Sequence, residues 1–254
     1  MPARLADLID ELDRLLEPGR FDDYGPNGLQ FPGREAVETL VTGVSASVEL
    51  FDAALEEGAD AVLVHHGLFW GSGVGPIDPA LKRRLAPLFL RDVSLIAYHL
   101  PLDAHPEIGN NALLARALGA RDAGPFGAHR GADIGRRATF ADAPVDAREL
   151  RRRVERATGR APLHFESGPA LIRDLAIVSG AGAGHLPEAI AAGADAFITG
   201  EPAERVLHEA REGSIHFLAA GHYATETFGV RELGERLAER FGLRHVFLDV
   251  PNPI

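Results

Sequence analysis

The sequence of 254 residues predicts an α/β protein made of two similar α/β lobes. Three observations predict this class. Strand and helix patterns alternate along the chain, the length suits one large domain or two small lobes, and parts of the sequence repeat. Apolar residues make up 46% of the composition, which is enough for a sizeable core without disulfide bonds.

The first predicted element is an amphipathic helix with leucines at helical spacing from Leu5 to Leu16, and Pro18-Gly19 ends it. A loop rich in Gly, Pro and Asn covers residues 24–33. Beyond this loop the periodicity changes between strand and helix every few residues. The next predicted elements are a strand at 38–44, a helix at 48–57 and a short buried strand at 61–64.

Two stretches of the chain recur in the same order. Residues 58–64 (GADAVLV) are similar to residues 193–199 (GADAFIT), and residues 95–103 are similar to residues 217–226. We interpret the repeats as two lobes related by a pseudo-twofold axis, with a ligand site in the cleft between them. The alternative is chance recurrence in an alanine-rich chain, which explains one string better than two.

The repeats also suggest boundaries. We expect a first lobe with the N-terminal helix at 1–119, a connecting segment at 120–170 and a second lobe at 171–254, the lobes forming one integrated domain. The connecting segment carries a predicted strand at 137–140 and a basic helix at 147–157.

Charge and composition exclude several classes of partner. The formal net charge of −11 disfavours binding to nucleic acid and to anionic lipid. No apolar run is long enough to span a membrane, and the acidic, amphipathic start is unlike a signal peptide, so we expect a cytoplasmic protein. The chain has no cysteine, so any metal site must use imidazole and carboxylate ligands.

Four histidines stand where predicted strands end, which is where open α/β sheets bind ligands. They are His65, His66, His99 and His222. Asp103 and Glu226 each follow one of them by four residues. Adjacent histidines on an extended chain project to opposite sides, so His65 and His66 are expected to hold two neighbouring ions. Imidazole and carboxylate suit Zn, Fe, Mn, Co or Ni, and a pair of such ions is typical of hydrolysis. The alternative is a metal-free protein with structural histidines.

Other motifs give weaker indications of function. The glycine-rich run at 180–185 lacks the third glycine of a dinucleotide-binding loop, so we expect a tight turn, with an anion-binding nest as the alternative. Trp70, the only tryptophan, is expected beside the histidine pair or else in an ordinary core or interface. The seven other histidines lack a carboxylate partner at a comparable strand end and are expected to be structural or exposed.

Four motifs together resemble the dinuclear metal centre hexameric proteins, also labelled GTP cyclohydrolase I type 2 homologues. They are HHGLFW at 65–70, HLPLD at 99–103, TGE at 199–201 and GHYATE at 221–226, and the loop at 23–30 is also similar. The resemblance spans nearly the whole chain. It implies a two-lobed protein that forms a toroidal homohexamer, with metal pairs facing an internal cavity. One departure is Gly67, where this family commonly has proline.

The resemblance also implies roles for single residues. His65 and Asp103 would hold one divalent ion, and His66 and His222 the other. Glu226 would bridge both ions. His99 would stand beside them as an extra ligand or a proton-transfer group.

These expectations lead to a metal-dependent hydrolase with a metal-bridged hydroxide as nucleophile and His99 assisting proton transfer. The substrate is not indicated. Ring opening of GTP is suggested only by the family label, because the sequence has no phosphate-binding fingerprint. The alternative is a non-catalytic ring that binds metal and serves as a scaffold or regulatory adaptor.

Overall fold

The structure, a computed structural model, describes residues 2–71 and 76–254. In this part of the chain the strands are β1 (Ala3–Arg4), β2 (Gly28–Phe31), β3 (Ala36–Val37), β4 (Thr39–Ser45), β5 (Ala61–His66), β6 (Ser94–Ala97), β7 (Arg121–His129), β8 (Ala132–Thr139), β9 (Leu163–Phe165), β10 (Asp174–Val178), β11 (Ala196–Thr199), β12 (His216–Ala219) and β13 (Arg244–Phe247). The α-helices are α1 (Leu5–Leu16), α2 (Val48–Glu56), α3 (Pro79–Arg91), α4 (Leu100–Ala104), α5 (Asn110–Ala117), α6 (Ala147–Thr158), α7 (Leu186–Ala191), α8 (Val206–Glu212), α9 (His222–Thr225) and α10 (Thr227–Phe241). The α/β class predicted from the sequence is confirmed.

The chain forms two compact units. The first unit comprises Met1–Leu102 and Gly229–Val250, and the second comprises Asp103–Phe228 and Pro251–Ile254.

The first unit is built on a five-stranded sheet in the order β13-β4-β5-β6-β2. Its strands are parallel except for β2, which pairs antiparallel with β6 at one edge. The strand β5 is central, and its residues from Ala61 to His65 are all buried. Helix α1 turns one face inward and buries the leucines at 5, 8, 12 and 16, as their spacing predicts. The central position of β5 holds the histidines at its end on rigid backbone.

The second unit contains a six-stranded sheet in the order β7-β8-β10-β11-β12-β9. Strands β10, β11 and β12 are parallel, and the other three pair antiparallel with their neighbours. Leu150 and Val154 of α6 pack with Leu175, Ile198 and Leu218 in one apolar core. The parallel strands all end at the same edge of this sheet.

The repeated Gly-Ala-Asp segments adopt the same local structure. Each begins with a glycine in the left-handed conformation, at φ of 72° for the segment 58–60 and 71° for 193–195. Each aspartate then accepts hydrogen bonds from two successive amides near the start of the preceding parallel strand. Those amides belong to residues 38–39, at 2.8 and 3.0 Å, and to residues 173–174, at 2.7 and 2.9 Å. The two motifs are therefore structurally equivalent.

The boundaries of the two units differ from those of the predicted segments. The segment 120–170, which we expected to connect two lobes, contributes β7, β8 and β9 to the sheet of the second unit. Strand β13, at the end of the predicted second lobe, pairs with β4 in the first unit. These units reflect contacts and not internal similarity, so the two-lobe division stays a prediction. No helix in the described residues is long and apolar enough to cross a membrane.

Candidate metal centre

Three of the predicted histidines lie together in the first unit. His65 and His66 are the last two residues of β5, and His99 follows β6. The ring centroid of His65 lies 4.8 Å from that of His66 and 4.9 Å from that of His99. One ring nitrogen of each histidine lies within 4.8 Å of those of the other two. The three imidazoles therefore form a group that can hold a metal ion.

Adjacent residues on a strand alternate between faces, yet the rings of His65 and His66 approach each other. Both residues lie at the end of the sheet. Strand β6 ends at Ala97, which pairs with Val64, so β5 runs on past its last partner in β6. On the other side His66 still pairs with Ser45 of β4.

Hydrogen bonds orient the two rings of β5. The Nδ1 of buried His65 donates to the carbonyl oxygen of Tyr98 at 3.1 Å, which makes Nε2 the nitrogen that this ring offers to a ligand. The Nδ1 of His66 hydrogen-bonds with the hydroxyl of Ser45 at 3.0 Å. Both rings are thus held through the same nitrogen.

The third ring is held by a buried carboxylate from the N-terminal loop. Nδ1 of His99 donates to Asp23 at 2.7 Å, and Asp23 also accepts from Asn27 and from the amides of Tyr24 and Leu100. Burial raises the pKa of Asp23, but the bonds from His99, Asn27 and the Tyr24 amide outweigh it, so its pKa is lowered. Asp23 is therefore ionised at neutral pH and fixes the orientation of His99.

Trp70 packs beside this group, which confirms one of the two placements expected from the sequence. Its ring centroid lies 5.9 Å from that of His66 and 5.2 Å from that of His99. A Cβ at Gly67 would lie 2.3 Å from the side-chain amide of Gln30, so a larger residue there would require that side chain to move. The side-chain oxygen of Gln30 in turn accepts a hydrogen bond from the amide of Leu68 at 2.8 Å. The departure to glycine at 67 therefore suits the packing of Gln30.

The other predicted ligands lie in the second unit around Glu226. The Nε2 of His222 is 3.1 Å from a carboxylate oxygen of Glu226, which is 2% exposed. A carboxylate oxygen of Asp103 also lies within 4.8 Å of one of Glu226. Helix α9 begins at His222 and ends at Thr225, and after a break at Glu226 the chain continues as α10. Glu226 is thus within reach of both other ligands of its unit.

Asp103 is held by a buried polar network. Its Oδ1 accepts from the side-chain amide of Asn110 at 2.8 Å and from the hydroxyl of Ser179 at 3.0 Å. The amide of Ser179 donates to Asn111 at 2.7 Å. Each of these residues is buried, and such networks hold a ligand in one geometry.

His222 is held on its other nitrogen by Glu201, which accepts from Nδ1. Burial lowers the pKa of His222, but the neighbouring carboxylates of Glu226 and Glu201 outweigh this effect and raise the pKa to about 9. The imidazole therefore carries a proton at neutral pH when no metal competes for Nε2. A divalent cation beside both carboxylates would replace that proton.

Two glycines, Gly180 and Gly200, make room for the His222 side of the group, and a third, Gly221, precedes His222. At Gly180, with φ of 60°, a Cβ would lie 2.2 Å from Glu226 and 3.0 Å from Nε2 of His222. At Gly200 a Cβ would lie 2.6 Å from Cα of His222, and Gly221 directly before it has φ of 99°. The glycine-rich run, which we expected to be a tight turn, begins as a turn at Gly180 and continues as a 3-10 helix over Gly182–His185. It lets the backbone approach the ligands closely.

Several supporting residues were missed in the sequence. Asp23, Asn27 and Glu201 lie within motifs that we recognised only by resemblance. Their roles depend on pairing between distant segments, so no local pattern identifies them. The remaining histidines include His164, which hydrogen-bonds with His216, and the exposed His208.

The donor types fit a divalent transition metal. Neutral imidazoles and carboxylates are the ligands that Zn, Mn, Fe, Co and Ni take in proteins. Oxygen atoms that hold the far nitrogen of each histidine are typical of such sites. The fold and these ligand groups define an α/β protein with a candidate metal centre of imidazole and carboxylate donors.

The sequence profile of the DUF34/NIF3 (NGG1p interacting factor 3) family matches residues 3–253, and the chain belongs to this family. A Pseudomonas aeruginosa protein named GTP cyclohydrolase 1 type 2 homolog is 48% identical over 254 residues, covering 100% of both chains. A protein of the same name from Escherichia coli K12 is 44% identical over 257 residues and covers 98% of each.

Solved structures have the same fold. One, described as protein ybgI of unknown function, has a TM-score of 0.93 at 42% identity and covers 99% of this chain and 100% of its own. Another, from Thermus thermophilus, has a TM-score of 0.90 at 40% identity with the same coverage.

Proposed function

We propose that the protein binds two divalent metal ions and uses them in a hydrolytic reaction. The single observation that carries the proposal is the position of Glu226, whose carboxylate lies within reach of both Asp103 and His222. A carboxylate in this position suits a bridge between two ions. The proposed ligands are His65, His66, Asp103, His222 and Glu226.

The assignment of ligands to ions follows the resemblance. His65 and Asp103 hold one ion, and His66 and His222 hold the other. Hydrogen bonds within each unit support this assignment. Each of these four side chains has a hydrogen-bond partner that orients it. Oriented ligands reduce the ordering cost of binding a metal.

Bound divalent ions would polarise a substrate oxygen and lower the pKa of a coordinated water. The protein supplies the proton acceptor. Nδ1 of His99 keeps its proton and donates a hydrogen bond to Asp23, so Nε2 of His99 carries the lone pair that can accept a proton. Five ligands shared between two ions leave coordination positions open for a substrate, which a purely structural site tends to fill.

The name of the relatives makes GTP the first substrate to test. Metal-loaded protein should be incubated with GTP, with formate release and a pterin precursor as the readouts. A broader panel of phosphoesters, nucleotides and amides should follow. We expect turnover of at least one compound, and we expect Glu226→Gln to abolish it while the protein stays folded.

Protein that carries two ions yet is inert on the whole panel would contradict the hydrolase and favour the non-catalytic scaffold.

Ring assembly belongs to the same proposal. Helix α3 exposes Phe89 (66% exposed) and Leu90 (83% exposed), and apolar side chains of this size favour burial between copies. We propose a homohexamer, and light scattering in solution measures the mass that tests it.

A further inference from the structure

Two aromatic rings beside the histidine group are open to solvent. Trp70 is 47% exposed and Tyr24 is 45% exposed, and both belong to the first unit. The ring centroid of Trp70 lies 5.2 Å from that of His99, and the ring centroid of Tyr24 lies 6.0 Å from it. Aromatic rings that stay exposed beside a candidate reaction site offer a surface on which a ligand can be buried.

Backbone contacts hold these two rings in place. The amide of Gly71 donates a hydrogen bond to the carbonyl oxygen of Tyr24 at 2.6 Å. A Cβ at Gly25 would lie 2.4 Å from the carbonyl oxygen of Phe69, so the two chain segments that carry the rings pass close together. A surface that is ordered before binding loses less entropy when a ligand binds. The two rings therefore suit a binding platform.

The inclination of the rings indicates how a flat molecule binds. The planes of the Trp70 and His99 rings are inclined at 85° to each other. A planar ring that stacks parallel to Trp70 is therefore nearly perpendicular to the imidazole of His99, and these two rings meet through an edge. Polar atoms at the edge of a nitrogen heterocycle can hydrogen-bond with Nε2 of His99, which a hydrocarbon ring cannot do. The arrangement favours a heterocycle over a purely apolar ring.

The charges near the platform disfavour recognition through phosphate. Tyr24, Trp70 and His99 lie in the segments 21–33, 59–71 and 92–104, and none of these segments contains lysine or arginine. These two residue types are the side chains that bind phosphate groups most strongly. The carboxylate next to His99, that of Asp23, is ionised and would repel a phosphate. The platform therefore suits the neutral ring of a ligand.

We propose that Trp70 and Tyr24 form an aromatic platform that binds a neutral, planar nitrogen heterocycle, such as a nucleobase, by stacking. The ring of the ligand, and not a phosphate group, then determines which compounds are held beside the histidines. This inference rests on the proposed function, because it names the substrate class of that site. Trp70 and Tyr24 are thereby specificity-determining residues.

The fluorescence of Trp70 reports on the platform directly, because this residue is the only tryptophan of the chain. Full-length protein, either loaded with Zn²⁺ or treated with a chelator, is titrated with guanosine. Ribose is the control ligand that lacks the heterocycle. We expect guanosine to quench the emission of Trp70 with similar dissociation constants in both preparations, and ribose to leave the emission unchanged.

Substitutions then test each ring. Tyr24→Leu should weaken guanosine binding at least about 5-fold, because each stacking contact between a base and an aromatic side chain contributes that much or more. Trp70→Leu removes the fluorophore, so calorimetry measures its binding, which should be weaker by about 10- to 100-fold, whereas Trp70→Phe should retain most of the affinity. Phe89→Leu, at an exposed ring of helix α3, is the matched control and should bind guanosine as the wild type does.

The outcomes separate this platform from the two-ion centre. If guanosine fails to quench in either preparation, or if Trp70→Leu and the wild type bind it equally, the platform is wrong and the two-ion proposal stands. Quenching confined to the Zn²⁺-loaded protein would also overturn the platform, since the metal would then hold the ligand. If the wild type binds guanosine but cannot be loaded with metal, the platform stands and the two-ion proposal is wrong. Should Trp70→Leu not fold, unchanged affinity in Tyr24→Leu would overturn the platform.

Discussion

Strands β5 and β11 begin with the same Gly-Ala-Asp turn but end differently. β5 ends in His65 and His66, whereas Gly200 and Glu201 stand at the equivalent positions after β11. The two histidines are candidate ligands. Gly200 leaves room for the backbone of His222, and Glu201 accepts a hydrogen bond from its ring. The copy at β5 supplies two candidate ligands, whereas the copy at β11 supplies residues that support the ligand His222. The shared turn therefore determines the backbone conformation, and the residues at the strand end determine the chemistry.

The largest effect should come from removing the aspartates that the two turns share. We expect Asp60→Ala and Asp195→Ala each to lower the free energy of unfolding by about 3 kcal/mol, because each leaves two backbone amides without their carboxylate acceptor. Urea denaturation measures both values. Asp133→Ala, at an exposed position, is the control. A loss of stability in only one of the two variants would contradict the equivalence of the two turns.

The next effect concerns the glycine that packs on the ligands. Gly180→Ala should lower metal affinity about 100-fold, since its Cβ would lie 2.2 Å from Glu226. Gly193→Ala is the matched control, because Gly193 has a similar φ of 71° but open space around its Cα. Gly193→Ala should lose about 1–2 kcal/mol of stability because alanine disfavours the left-handed conformation, and Gly180→Ala should lose at least as much. Equal metal affinity in the two variants would show that Gly180 does not serve the site.

Much of the architecture was predictable from local pattern. The leucine spacing of α1, the buried strand β5 and the Gly-Ala-Asp repeat all follow from residues near one another in sequence. The positions of His65, His66 and His99 were predictable because ligands gather where parallel strands end. The roles of Asp23, Ser179 and Glu201 were not, since each depends on a hydrogen bond to a residue far along the chain. The pairing of β13 with β4 also escaped, because sheet order depends on packing of whole elements.

Buried histidines in the two units predict how the stability of the protein changes in acid. In the second unit burial lowers the pKa of His164 to about 4; neighbouring His216 also lowers it, while Glu166 opposes the shift. Between pH 6.5 and 4 the unfolded chain binds a proton that the folded chain does not. The unfolding free energy should therefore fall by about 2 kcal/mol from pH 6.5 to pH 4 on account of His164.

The control for this pH effect is the exposed His208. Unfolding measured across that range should lose this dependence in His164→Gln and keep it in His208→Gln. In the first unit His245 also has a lowered pKa because it is buried. If His245→Gln alone removed the pH dependence, the assignment to the second unit would be wrong.

The smallest effect is expected at the end of β11. Glu201→Gln keeps a hydrogen-bond acceptor for His222 but removes the charge, so metal affinity should fall about 10-fold. Glu204→Gln, at an exposed position three residues on, should leave affinity unchanged. Competition with a chromogenic chelator measures both. Equal affinities would indicate that Glu201 does not support the ligand.

The metal content of the protein tests the central claim most directly. Full-length protein purified without an affinity tag, loaded with a divalent transition metal and dialysed, should be measured by elemental analysis against protein concentration. We predict two ions per chain, falling when Glu226 is replaced by glutamine. A wild-type protein that retains fewer than two ions per chain would contradict the proposed two-ion centre.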